Sequence, residues 1–557
     1  MKRLLLVFFF CFLIVFLFLL IGFSQPLYAN AISVTNVSLT EQDTSASTIA
    51  VEFDITWNNS WRNMINHDAA WVFVKYSTDS GVTWYHATLK TSNAATGYDL
   101  NPTSLGYSRG SGTTLDILVS DDNTTTAGGG YGAFLRRSNS GSGTVTTTDI
   151  QFVWDWGQDG LSASTSAQVR VYAIEMTYIP TGSFYIGDGN GSSESTVAFH
   201  ENGVDNTAVQ ITTASKNITC DSNVNDDIDT TPVAVDGDGG ITGNASWPVG
   251  YSDFYLMKYE LSQAQYRDFL NTLSRDQQHT RTASNLTSAD EDDANTYVMI
   301  AEGQATPLYR QTVKAGSNPG SGSSYTFTCD LDDDDTGNES NDGEWIAMNY
   351  IAWMDLCAYA DWAGLRPFTE TEFEKAARGS ANIAVYGEYA WGSTTYREVI
   401  DITNSGQASE GASDDANFNV CISYCAFLGP LRTGFAAGSA TDREQAAAGY
   451  YGNMELSGNL WEVAVTLGNT SGRAFQGTHG DGVLTTAATY EGNATNSDWP
   501  GINASTDRGV TGASGSGNHG AGFDDSAYVV SFRGVASSGS SSRYEAFGGR
   551  LARTAPE

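Results

Sequence analysis

No cysteine occurs after Cys425, and residues 508–551 contain neither cysteine nor methionine. A C-terminal centre built on thiolate or thioether sulfur is therefore excluded. Basic residues are scarce, 28 Lys and Arg against 64 Asp and Glu, for a formal charge of −36. Such a chain repels nucleic acid and anionic lipid surfaces. The six histidines, His67, His86, His200, His279, His479 and His519, are scattered, and no two fall at ligand spacing on one element. Motifs of the form GxSxG, HExxH or a phosphate-binding P-loop do not occur, which removes the commonest signatures of serine hydrolases, zinc proteases and nucleotide-binding enzymes. There is one long apolar run, at residues 4–23, and no second one of that length.

That run follows Met1-Lys2-Arg3 and precedes Ala29-Asn30-Ala31, the pattern of a secretory signal peptide cleaved after Ala31. Its length also suits an uncleaved anchor. Cleavage removes Lys2 and Arg3 and leaves a charge of −38, with no membrane span in what remains. The expectation is a secreted or cell-surface protein, its carboxylates screened or coordinated by cations outside the cell. The remaining length exceeds a single core, so two or three domains are expected. Of the five remaining cysteines, Cys357 sits among apolar neighbours on a predicted helix and reads as a buried thiol. Cys220 with Cys329, and Cys421 with Cys425, are open pairings.

Residues 32–173 read as all-β. Ile49, Val51, Phe53, Ile55 and Trp57 alternate with polar residues, which buries one sheet face. Further strands are expected at 70–76, 82–89, 115–119, 149–156 and 168–173, in an immunoglobulin-like sandwich. Trp57, Trp61, Trp71 and Trp84 read as packing residues more readily than as a sugar-stacking platform. From residue 174 to 557 the pattern changes to α+β. Ser262 and Gln265 form a capping box before the helical face of Tyr266, Phe269, Leu270 and Leu273. A second helix runs near 353–363, ended by Gly364 and Pro367, and Thr369 with Glu372 caps a third.

Several segments in this second part occur together in one known family. They are Met176-Thr177-Tyr178-Ile179-Pro180, the block Leu365-Arg366-Pro367-Phe368-Thr369-Glu370 continuing to Arg378-Gly379, Tyr389-Ala390-Trp391-Gly392, Gly458-Asn459-Leu460-Trp461-Glu462, Arg508-Gly509, and Phe547-Gly548-Gly549-Arg550-Leu551. Together they resemble the formylglycine-generating, sulfatase-modifying-factor family. The resemblance implies a C-type-lectin-like fold over 174–557. It also implies calcium at the GNxWE turn, through Glu455, Gly458, Leu460 and Glu462. Members with oxidase activity bind copper through two cysteines near the C-terminus. Those positions hold no cysteine here, so the resemblance implies no copper and no catalytic residue. A second calcium site at Asn417-Phe418 lacks a recognisable aspartate partner.

Acidic runs at 226–229, 236–239 and 330–342 could bind calcium, although charge runs are ordinarily solvated, as that at 290–293 is read to be. The run at 330–342 approaches D-x-D-x-D-G spacing but lacks the helix and terminal glutamate of an EF-hand. The loops 512–525 and 536–547 are rich in Gly, Ser, Asn, Asp and Tyr, a composition suited to adaptable recognition, with Arg543 and Tyr544 as ligand-binding candidates. The reading that follows is a non-catalytic, exported scaffold binding an extracellular ligand, glycan or neighbouring copies of itself. The alternatives are a structural subunit of an extracellular filament or surface layer, and a divergent oxidase.

Overall fold

The computed structural model describes residues 32–555 except 93–96, 123–128, 188–197, 200–207, 216–217, 221–238, 241–243, 288–292, 321, 381–383, 413–418, 422–427, 439, 441, 506, 526–528 and 535–538. The expected signal segment, Asn417-Phe418, Cys425, and the acidic runs at 226–229 and most of 236–239 and 290–293 lie outside the described residues.

The fold is mainly β with few helices, arranged in several sheets. The first ten strands are β1 Ser33–Asp43, β2 Thr48–Arg62, β3 Asp68–Ser77, β4 Tyr85–His86, β5 Tyr98–Leu100, β6 Ser108–Gly112, β7 Leu115–Ser120, β8 Ala133–Arg137, β9 Gly141–Trp154 and β10 Gln168–Ile179. One sheet has the order β1-β2-β9-β6. Its inner face carries Val51, Phe53, Ile55 and Trp57, the alternating set expected from the sequence, packed against Val72, Val74, Ile117 and Leu135. Trp57 and Trp71 are fully buried, and Trp61 and Trp84 are half-buried.

The second sheet does not stop where the sequence pattern changes. β10 pairs with β3 from Gln168↔Ser77 to Thr177↔Asp68. Its C-terminal half also pairs with β11, Phe254–Met257, from Met176↔Met257 to Ile179↔Phe254. Beyond β11 lies the last strand, β15, Ala552–Thr554. The expected boundary at 173/174 thus falls inside one strand. Strand β3 is buried along its whole length because it has a core on each face. Val72 and Val74 look into the sandwich. Trp71 and Phe73 look into the larger core that holds Tyr255, Trp353 and Trp362.

The four longer helices among the described residues are α1 Gln263–Leu270, α2 Arg275–Thr280, α3 Trp353–Trp362 and α4 Glu370–Arg378. The Ser262–Gln265 and Thr369–Glu372 capping boxes both form. Helix α2 was not legible by periodicity, since Arg275–Thr280 contains no apolar residue. It is started by a third capping box, Ser274 with Gln277. Three strands near the C-terminus frame the GNLWE turn. They are β12 Trp461–Val465, antiparallel to β13 Ser516–His519 and parallel to β14 Phe547–Gly548. Cys357 is a buried thiol as expected, and Cys329 is also a thiol, so it does not pair with Cys220. Cys421 is buried, its sulfur 3.8 Å from the Gly429 carbonyl. Among the described residues no helix is long and apolar enough to cross a membrane.

Candidate functional site

The GNLWE turn is tight and fully enclosed. Glu455, Gly458 and Asn459 all take left-handed backbone conformations, and Glu455, Leu460 and Glu462 are buried. Both oxygens of Glu462 accept from Arg550, at 2.7 Å from Nε and 2.6 Å from Nη2. Arg550 also donates to the Met454 carbonyl at 2.6 Å. One Glu455 oxygen accepts from the Gly434 amide at 3.0 Å, and the other has no partner. The Gly458 amide donates to the Gly520 carbonyl at 2.6 Å.

A third carboxylate, Glu260, joins the cluster. It accepts from the Leu460 amide at 3.1 Å and from the Asn459 side chain. Sequence reasoning missed Glu260, which lies 200 residues from Leu460 in the chain; only the approach of β11 to the turn brings it in.

An arginine therefore occupies the role expected of calcium at Glu462. A bidentate guanidinium–carboxylate pair uses both oxygens, and a divalent ion would have to displace it. As folded, Glu455, Gly458, Leu460 and Glu462 do not fit the expected ion. Among the described residues only Arg550 bonds directly to a carboxylate of this group, with Arg432 acting on Glu455 from further off, so three buried carboxylates still exceed the cations beside them. Burial and the nearby Glu462 hold the Glu260 carboxyl well above the ordinary carboxylate range. Burial pushes Glu455 up to about 7 against the opposing pull of Arg550 and Arg432.

A carboxyl raised in the folded state binds more protons there than in the unfolded chain. Its contribution therefore favours folding at low pH and is lost as pH rises from about 4.5 to about 7. Replacing Glu455 by Gln is expected to flatten that part of the profile, read as the difference in urea unfolding free energy between pH 5 and pH 8. An unchanged difference would show that Glu455 is not the titrating group.

The C-terminal segment is used differently from the expectation. Residues 515–523 are buried, and β13 lies against β12. Their small side chains permit close packing. A Cβ on Gly522 would stand 2.9 Å from the Trp461 ring, and one on Gly534 2.6 Å from it. Arg543 is turned inward. It pairs with Asp355 through two bonds of 2.8 Å and donates to the Thr280 carbonyl at 2.9 Å, tying the segment to α3 and α2. It is a structural residue and not an exposed ligand contact. Tyr544 is exposed, and its hydroxyl donates to Asp524 at 2.9 Å. Arg533, beside Gly534, is buried and bonds Glu370 of α4 at 2.6 Å. Arg508, of the expected Arg508-Gly509 motif, lies over Tyr490, 4.7 Å from the ring.

A groove of about 430 Å³ opens where the sandwich meets residues 481–486. The rings of Tyr76, Trp84, Tyr85 and Tyr131 line it, with Asp481, Thr83 and Gln277 between them. Tyr85 is 50% exposed. Arg170 covers one face of Trp84, 4.1 Å from the ring. At the floor, Lys75 donates to His86 Nδ1 at 3.0 Å, so His86 Nε2 carries the proton given to the Tyr131 carbonyl. Burial and then Lys75 keep this imidazole neutral. Gly482, at φ +80°, lies against His86, where a Cβ would be 2.5 Å from the ring.

Residues 162–553 match the model of the sulfatase-modifying factor enzyme 1-like domain. The chain belongs to this family. A similar solved structure is that of PvdO from Pseudomonas aeruginosa, 13% identical, with a TM-score of 0.27 over 69% of this chain and 95% of that one. A comparison with curated proteins finds no match.

Proposed function

We propose that this chain is a non-catalytic, exported member of the family that binds an extracellular saccharide. The observation that carries the reading is the absence of thiols. The segment from Arg533-Gly534 to Arg550 and all that follows it contain no cysteine, so the soft ligands a copper oxidase requires are not supplied there. What the fold presents instead is the groove between the sandwich and residues 481–486. Aromatic rings offer flat apolar faces to the C–H side of a sugar ring. Carboxylate, hydroxyl and amide groups between them can pair with its hydroxyls. The filament alternative has weaker support, since the edge strand β1 is interrupted by two register shifts against β2, a device that blunts pairing between copies.

The test is a glycan array on the mature protein, followed by titration of the best hit with the intrinsic tryptophan signal as readout. Tyr85→Ala is expected to weaken binding about tenfold, the loss of one aromatic anchor of roughly 1–2 kcal/mol, while leaving the melting temperature unchanged. Saturable binding that ignored Tyr85→Ala would move the site elsewhere. Copper-dependent oxidation of a Cys-x-Pro-x-Arg peptide by the purified protein would overturn the non-catalytic reading.

A further inference from the structure

The acidic loop after the strand Phe327–Cys329 is folded into two faces. Left-handed residues at Asp333, Asp335 and Asn338 turn it sharply. On one face Lys314, from the neighbouring strand Val313–Ala315, donates to Asp330 Oδ2 at 2.8 Å, Asp333 at 3.0 Å and Asp335 at 2.9 Å. That uses all three donors of the ammonium, so Lys314 bonds all three carboxylates of this face and offsets one of their three charges. On the other face stand Asp332 and Asp334, whose side chains Lys314 does not reach. One carboxylate oxygen from each of Asp330, Asp332 and Asp334 lies within 4.8 Å of the others.

An independent feature marks this second face as incomplete. Asp330 is 1% exposed, and its Oδ1 has no hydrogen-bond partner. A buried carboxylate oxygen without a donor costs on the order of 1–3 kcal/mol or more, and Lys314 is saturated and cannot supply it. The neighbouring Asp342 repeats the pattern. It is fully buried, one oxygen accepts from the Glu339 amide, and the other, Oδ1, is unpartnered. Meanwhile Asp332 and Asp334 are each held by a single bond, from Asn341 at 2.6 Å and from the Thr336 amide at 2.8 Å. Each therefore keeps lone pairs for another partner.

We propose that Asp330, Asp332 and Asp334 bind a calcium ion, with the unpartnered oxygen of Asp330 as its buried ligand. Three carboxylates on an irregular loop give the hard oxygen ligands and adaptable geometry that calcium accepts, whereas magnesium requires a near-ideal octahedron and sheds water reluctantly. The adjacent Cys329 contributes no atom to this cluster, so the donor set is all oxygen, which suits calcium and not the thiolate sites that select zinc. Lys314 takes part of the loop's charge, and the alternation along Asp330–Asp335 leaves the ion the other face.

The experiment is calorimetric titration of the mature protein with CaCl2, with thermal melts in CaCl2, in MgCl2, in NaCl of matched ionic strength, and in EDTA. One calcium per chain and a raised melting temperature are expected with CaCl2. NaCl should not reproduce the rise, and MgCl2 should reproduce it at most weakly. The double variant Asp332→Asn/Asp334→Asn, both exposed positions, should fold like the parent in EDTA, lose at least tenfold in calcium affinity and lose the calcium-dependent rise. No binding by the parent at millimolar calcium would overturn the proposal. So would a response kept by the double variant, which puts the ion elsewhere, or an equal response to NaCl or MgCl2, which reduces it to screening or to a non-selective site.

Discussion

A chain starting at residue 162, where the family match begins, is expected not to fold cooperatively. That truncation keeps β10 but removes β3, its partner over ten residues. It also removes Trp71, Phe73 and Phe134, which lie in the same core as Tyr255, Trp353 and Trp362. Phe134 stacks on Tyr255 with ring centroids 3.9 Å apart, and Phe73 meets Trp362 edge-on at 5.0 Å. Trp71 Nε1 donates to the Ala363 carbonyl at 2.8 Å, and Arg553 of β15 lies 4.1 Å over its ring. Losing one buried aromatic side chain costs about 3–5 kcal/mol. Three such losses reach the whole stability of an ordinary domain, about 5–15 kcal/mol. The measurement is circular dichroism with limited proteolysis on residues 162–557 beside residues 32–557. A sharp thermal transition and protease resistance in the shorter chain would show that the shared sheet is dispensable. The single substitution Trp71→Ala should lower the stability of the longer chain by the same 3–5 kcal/mol.

The second large effect is expected at Arg550. Its guanidinium is fully enclosed and serves both oxygens of Glu462. Glu260 and Glu455 stand close enough to feel the same charge. Arg550→Met removes the one cation bonded to Glu462 and leaves that carboxylate buried without it. Breaking a buried pair in this way costs about 3–5 kcal/mol. Replacing both partners, Arg550→Met with Glu462→Gln, removes the unpaired charge and should recover much of the loss. Urea unfolding of the two variants checks this. A single variant within 1 kcal/mol of the parent, or a double variant no better than the single, would show that the pair is not what balances the turn.

Much of this was legible in the chain because it is local. Capping boxes at Ser262 and Thr369 depend on residues three apart, and both form. The alternation from Ile49 to Trp57 depends on the strand period, and those side chains fill one face of the sandwich. The family motifs from Tyr178 to Leu551 were read in order, and the family match covers them. A two-residue motif such as Arg508-Gly509 or Arg533-Gly534 recurs easily in this composition, and the burial of Arg533 against Glu370 leaves no local trace.

The sequence by itself determined the chemistry that is missing and the materials present: no C-terminal thiol, an excess of carboxylates, a sandwich pattern followed by a family scaffold. Tertiary structure decided which charges meet. It gave Glu462 to Arg550, Asp355 to Arg543 and three loop aspartates to Lys314. The first two pairings span 88 and 188 residues of chain. Partners so distant are chosen by how strands and helices pack, because the range of an ion pair is a few ångströms of space and bears no relation to separation along the sequence. The same packing continued β10 into both cores and turned the Gly-rich residues 515–523 inward, since close approach to Trp461 rewards small side chains as readily as an exposed loop does.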